Sequence, residues 1–287
     1  MPGCPVEMGA STGAECASNA MNAPFFSVIT VCRNAESVLA ATADSLREQG
    51  FTDYEWIVVD GDSTDNTCDI ARKYLDATRD MIVSEPDDGV YFAMNKGLRL
   101  ARGEFVLFLN AGDVIADVGT LTLVRKAIDN NVDVLHGDAV FQLPRGDMIY
   151  RRSKDASGGV DRRLLASHQS VYVRREMHLR HMFDTSLRIS ADFAVLASLH
   201  SSGGRFRYLP VALSITTLEP DAISVKGRPR MAWEDIRVNR GILGMSRLRA
   251  HAIFLAARMR IGMVSILKAL PAWAFRLLPA RLRRRVY

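Results

Sequence analysis

The sequence predicts an α/β fold built on a largely parallel sheet, and three observations carry that expectation. Short, almost wholly apolar runs (FFSVITV, EWIVVD, MIVSE and FVLFLN) recur through the first half of the chain. Segments of helical periodicity separate them, giving four strands and three helices over about 90 residues. Such alternation feeds parallel strands, and strands covered by helices on both faces are apolar throughout rather than at every second position.

Residues 25–31 form the first strand, and a helix follows Arg33-Asn34 to about Gln49, with Gly50 suited to close it at C′. The second strand is 55–60. GDSTDNT then turns into a helix, with Ser63 or Thr64 as N-cap and Asp65 favoured near the positive helix end. MIVSE is the third strand, Pro86 to Gly89 a turn, VYFAMNKGLRLA a helix and FVLFLN the fourth strand. The second half reads as mixed. It has a helix over about 119–130, a strand VDVLHGDAVF ending near Gly137-Asp138, and GDMIYRR pairing back on it. HQSVYVRRE follows as a strand, ISADFAVLASLHSSG as a helix and RFRYLPVALSITT as a last strand.

The 287 residues, 48% apolar, suffice for one large core. Residues 1–23 lack a basic n-region and an apolar h-region, so they read as a loose, disordered leader or a mis-called start rather than a signal peptide. Residues 24–235 read as one domain and 236–287 as a basic tail. That tail holds 12 Lys or Arg and no acid, which leaves 25 basic against 32 acidic residues before it. An acidic body argues against a nucleic-acid surface spread over the fold. The cysteines Cys4, Cys16, Cys32 and Cys68 form no CxxC pair and read as reduced structural thiols in a cytosolic protein.

Carboxylates collect at predicted strand ends: Asp60 and Asp62, Asp87 and Asp88, Asp113, Asp138. Open α/β sheets bind ligands at that edge. Acids crowded there repel one another unless a cation offsets them, and Mg²⁺ or Mn²⁺ commonly joins one protein carboxylate to substrate phosphates. Asp113 is the candidate ligand, with Ala111-Gly112 leaving room for a nucleotide. Neither a GxxxxGK[ST] loop nor a GxGxxG after the first strand is present. The leading class is therefore a metal-dependent user of a nucleotide sugar.

FSVITVCRN, WIVVDGDSTDNT, SEPDDGVYFAMNKGLRLARGEFVLFLNAGD and HQSVYVRRE…FDTSLRISADF resemble, in this order, the family 2 glycosyltransferases of GT-A fold. The resemblance spans about Phe25 to Ser224 and is nearest to the colanic-acid and exopolysaccharide type. It implies a mixed Rossmann-like sheet and an inverting hexosyl transfer from a UDP- or GDP-sugar. Asp60 would meet the donor base and ribose, with Val31, Arg33 and Asn34 lining the same pocket. Asp87, Asn95 and Lys96 would shape the donor side. Asn110 and Ala111 would lie near ribose or diphosphate, Asp113 would hold Mg²⁺ or Mn²⁺, and His168-Gln169 would reach the diphosphate or acceptor. Asp192 would be the catalytic base. The chain departs from the pattern at Phe92 (usually Asp), Asp62 (usually Gly) and Asn110 (usually the first acid of a DxD), and it lacks the QxxRW of processive synthases. Two other readings stay open: a sugar-phosphate nucleotidyltransferase, and a catalytically degenerate nucleotide-binding scaffold.

In the tail, apolar residues recur at helical spacing among basic ones, which fits amphipathic helices lying on an anionic membrane. The expected setting is the cytoplasmic face of the inner membrane, with a lipid-linked acceptor.

Overall fold

A computed structural model describes residues 23–143, 146–153, 156, 167–217, 228–253, 255 and 259. The leader (except Ala23) and the end of the tail lie outside the described residues. The first half alternates as the sequence predicts: β1 (Phe26–Cys32), α1 (Leu39–Arg47), β2 (Tyr54–Asp60), α2 (Thr67–Tyr74), β3 (Met81–Ser84), α3 (Val90–Leu100) and β4 (Phe105–Phe108). The second half comprises β5 (Asp113–Ile115), α4 (Thr120–Ala127), β6 (Val134–Gln142), β7 (Met148–Arg151) and β8 (Val171–Arg174). After these come α5 (Arg175–Arg180), α6 (Ala191–Ser201), β9 (Phe206–Thr217) and α7 (Arg228–Gly241).

The strands form one mixed sheet in the order β3-β2-β1-β4-β8-β6-β9-β5, with β7 paired to β6. The first four strands are mutually parallel, and β8 enters antiparallel between β4 and β6. Successive core residues point to opposite faces. Ile29, Ile57, Val59, Val106 and Phe108 pack with α3, α6 and Val238 of α7. Val28, Val58 and Leu107 pack with α1 and α4. β5 is tied to α1, because Gly112 N–H donates to Thr42 Oγ1 (2.9 Å) and Ile115 N–H to Ser45 Oγ (3.2 Å).

Several boundaries differ from the sequence expectation, each for a local reason. Helix α2 starts at Thr67, not beside Ser63 or Thr64, because the Ser63 hydroxyl and amide are both spent on Asp60. Helix α1 has its C-cap at Glu48, so Gly50 lies beyond the C′ position. Asp113 does not close β4 but opens β5, and NAGD is the connection between the two strands. Asp138 lies inside β6, opposite an irregularity in β9, not in a loop after it. His168-Gln169-Ser170 is a 3₁₀ turn preceding β8, and Arg175-Glu176 already belong to α5. Helix α7 crosses the 235/236 boundary with Val238 in the core, so the domain reaches further toward the tail.

Gly97 lets α3 lie close against the sheet: a Cβ there would sit 2.5 Å from Ile29 Cγ2 and 3.2 Å from Val59 Cγ2. Gly97→Ala should therefore destabilise the fold by about 1–3 kcal/mol through overpacking, read as a lower urea midpoint with unchanged m-value.

Candidate active site

The carboxyl ends of β1, β2 and β3 meet at Asp60. Its side chain is fully buried and accepts from Ser63 N–H (2.9 Å), the Ser63 hydroxyl, Ser84 Oγ (2.7 Å) and Cys68 Sγ (3.2 Å). Burial pushes its carboxyl up, but the hydrogen bonds from Ser63, Ser84 and Cys68 outweigh it and hold the group below the ordinary value. Asp60 is thus saturated by its own chain. It ties together the loops after β1 and β2, at the place where the resemblance puts the donor base and ribose. Burial and the adjacent Asp60 charge raise the Cys32 thiol far above its usual range, and Cys32 and Cys68 are free thiols.

Those two loops are laced together across the sheet edge. Asn34 Oδ1 accepts from Thr64 N–H (2.9 Å), Asn34 N–H donates to Ser63 Oγ (2.7 Å), and Ala35 N–H to Thr67 Oγ1 (2.7 Å). Asn34 (φ 50°) and Asp62 (φ 61°) both adopt left-handed backbone. The second explains why a glycine would suit position 62. At the end of β1, Val31 is buried and Arg33 is exposed.

From α3, Lys96 Nζ meets Asp87 Oδ1 at 2.8 Å and Glu85 Oε1 at 2.7 Å. Asp87 Oδ2 is buried with no hydrogen-bond partner among the described residues. Asn95 is committed elsewhere: its amide donates to Phe183 C=O (2.9 Å) and accepts from Phe183 N–H (3.0 Å). Asn95 thereby holds the turn at Phe183 against α3. Phe92 is exposed on the same helix.

The 3₁₀ turn brings the remaining candidates together. The Ser167 hydroxyl donates to Gln169 Oε1, which orients the amide so that Nε2 donates to Asp113 Oδ2 at 2.7 Å. Asn110 Nδ2 lies 3.1 Å from His168 Nε2. The other ring nitrogen, Nδ1, faces Asp192 Oδ2 at 3.8 Å, beyond hydrogen-bond length. Ala111 N–H donates to Val31 C=O (3.4 Å), and Gly112 takes a left-handed φ of 91°. Asp192 is partly exposed in the first turn of α6, where the helix end favours negative charge. Its Oδ1 accepts Phe193 N–H (2.7 Å), and Ser190, not Asp192, is the N-cap residue.

A divalent ion has one carboxylate to meet here. Asp113 is buried, the Gln169 amide donates to it, and burial holds its carboxyl above the usual range despite the pull of His168, Gln169 and Thr216. Positive charge at Asp113 would offset that burial, so the residue fits a hard cation completed by phosphate and water. Among the described residues no three His, Cys, Asp or Glu group to hold a resident metal.

Sequence reasoning missed the residues that hold the segment before Asp192. Glu234 of α7 accepts the amides of Arg188, Ile189 and Ser190, and Tyr91 Oη donates to Ile189 C=O (2.6 Å). No motif marks Glu234. The only hint was a lone acid pair beside an acid-free tail.

This mixed sheet, flanked by helices, with the candidate residues in the segments that follow β1–β4 and enter β8 and α6, is that of a glycosyltransferase of GT-A fold. The chain belongs to glycosyl transferase family 2, whose description it matches over residues 27–192. Membership decides against the nucleotidyltransferase alternative. A PGL/p-HBAD biosynthesis glycosyltransferase of Mycobacterium tuberculosis is 38% identical over 163 residues, 54% of this chain and 61% of that protein. The chain thus matches about three fifths of that relative's length. The Escherichia coli UDP-Glc:alpha-D-GlcNAc-diphosphoundecaprenol beta-1,3-glucosyltransferase WfgD is 28% identical over 112 residues, covering 39% of this chain and 44% of WfgD. Among solved structures, the fold is similar to the mannosyltransferase PcManGT of Pyrobaculum calidifontis with GDP-Man and Mn²⁺. The TM-score is 0.62 at 18% identity, covering 92% of this chain and 83% of that one. S. aureus TarS in complex with UDP gives a TM-score of 0.56 at 21% identity, covering 90% and 84%.

The raised carboxyl of Asp113 has a consequence for stability. The folded state binds its proton more tightly than the unfolded chain, so the contribution of this site falls as pH rises from 3.8 through the native value. Asp113→Asn should therefore melt higher than the parent at neutral pH, with the gap closing toward acid pH. Thermal melts across that range check it.

Proposed function

We propose that this chain transfers a hexosyl group from a UDP- or GDP-sugar to a lipid-linked saccharide, with inversion, in assembly of an exopolysaccharide or glycolipid. The observation that carries the reading is Asp192: a partly exposed carboxylate on the first turn of a helix, facing His168, itself held by Asn110 at the end of β4. Asp192 takes the proton of the acceptor hydroxyl as that oxygen bonds the anomeric carbon and the bond to the departing nucleoside diphosphate breaks. The laced loops carrying Arg33, Asn34 and Asp60 form the wall for the nucleoside. Asp87, with one buried oxygen unpaired, suits a hydroxyl of the donor sugar. Asp113 would hold Mg²⁺ or Mn²⁺, which when bound with donor neutralises charge on the diphosphate.

Relatives and neighbours support the substrate class. PcManGT carries GDP-Man with Mn²⁺, TarS carries UDP, and WfgD is named for a diphosphoundecaprenol acceptor. The test is nucleoside diphosphate release from a panel of UDP- and GDP-sugars, with and without Mn²⁺. Asp192→Asn should lower transfer at least about 10²-fold while binding donor like the parent. Full transfer by that variant removes Asp192 from the role, and a protein that binds donor but never releases diphosphate is a scaffold.

The proposed site of action is the inner face of the cell membrane. Among the described residues no helix is long and apolar enough to cross a bilayer. Residues 247–253 are helical; Ala250 faces inward, while Leu248 (86% exposed), Leu255 (57%) and Met259 (74%) stand outward beside Arg247 and Arg249. Apolar residues at this spacing with flanking cations suit an anionic lipid surface. Deleting the chain after Ile253 should cut co-sedimentation with vesicles of acidic phospholipid. Equal sedimentation of both proteins refutes the membrane reading.

A further inference from the structure

We propose that Glu234 is a positioning residue for the transfer step, setting Asp192 by gripping the backbone that leads into its helix. The proposal rests on Asp192 as the base. Glu234 is buried, 4% exposed, on α7, beyond the stretch matched to the family. One carboxylate oxygen accepts Arg188 N–H at 3.0 Å, and the other accepts Ile189 N–H at 2.9 Å and Ser190 N–H at 3.0 Å. Three consecutive amides converge on one ionised group, each a charge-assisted bond. Arg230 Nε lies 2.9 Å from the first oxygen, one helical turn away. Burial alone would raise the carboxyl, but the Arg188 amide, Arg230 and the other amides outweigh it and keep it charged.

The gripped segment ends two residues before Asp192. Ser190, the N-cap residue of α6, is held a second time, its hydroxyl donating to Asp235 Oδ1 at 2.8 Å. From the opposite side Tyr91 Oη holds Ile189 C=O, and the Arg188 guanidinium reaches Asp88 C=O at 3.5 Å. The start of α6 is therefore fixed between the donor-side helix α3 and α7. Asp192 has no comparable support of its own: its carboxylate accepts the next amide, and His168 is 3.8 Å away. Its position follows from where α6 begins, and a displacement near 1 Å can cost about 10²-fold in rate.

The experiment compares Glu234→Gln, Asp192→Asn and the double variant in the full chain, measuring transfer kcat, donor KM, affinity for UDP and GDP with Mn²⁺, and melting temperature. Glu234→Gln keeps the shape but turns an N–H against an amide N–H. It should lower kcat about 10²-fold with donor KM and nucleotide affinity unchanged. On the Asp192→Asn background it should cost nothing further, because the two residues act as one unit. Unchanged transfer overturns the proposal, as does a parallel loss of nucleotide affinity or a loss that multiplies with that of Asp192→Asn. If Glu234→Gln does not fold, Glu234→Asp with the same readouts decides by the same criteria. Full transfer by Asp192→Asn alone refutes the base itself, an outcome distinct from any result at Glu234.

Discussion

The hydrogen bond from Gln169 to Asp113 is the constraint on which the active-site arrangement depends. Asp113 starts a strand tied to α1, and Gln169 sits in the turn that enters β8, so one contact fastens two distant parts of the sheet. It also fixes the neighbour of Gln169. With Gln169 anchored, His168 lies against Asn110 and points its other nitrogen toward Asp192. An amide donor to a buried carboxylate is a partial answer to burying charge, because it supplies hydrogen bonding without countercharge. The remaining deficit is one that a cation proposed for this site would offset.

Asp60 shows the opposite solution. Its carboxylate is as deeply buried, yet serine hydroxyls, an amide and a thiol surround it and keep it ionised. A group so satisfied has little capacity left for a ligand. Its effect on the loop comes through geometry: Ser63 is drawn inward, the left-handed Asp62 lies beside it, and the loop meets Asn34 from the end of β1. A preorganised wall of this kind lowers the ordering cost of binding.

The first half of the fold was legible because its signals are local. Apolar runs with helical segments between them leave one economical arrangement, and β1 to β4 with α1 to α3 follow it. The acids near strand ends were legible by type and place, but their hydrogen-bond partners were not. Whether Asp60 faces a ligand or its own loop depends on Ser84 and Cys68, which are 24 and 8 residues away. Asp138 reads as a loop acid in sequence. In space, Tyr150, Tyr208 and the Ser153 amide donate to it and allow it inside β6. Glu234 was illegible for the same reason: what identifies it is a set of amides 44 to 46 residues earlier in the chain.

The acids of this molecule thus divide by what surrounds them rather than by where the sequence puts them. Asp60 and Glu234 are buried and fully hydrogen-bonded, which suits fixed structure. Asp113 is buried and undercompensated, a condition that disfavours its charge until a cation is present. Asp192 alone is partly exposed, unpaired by any Lys or Arg ion pair among the described residues, and placed where a helix end steadies its charge. A group that must take up a proton from an incoming hydroxyl needs room for that hydroxyl and no stronger partner holding its oxygens. Of the four, Asp192 meets both requirements. The backbone leading into its helix, by contrast, is hydrogen-bonded at three consecutive amides by Glu234.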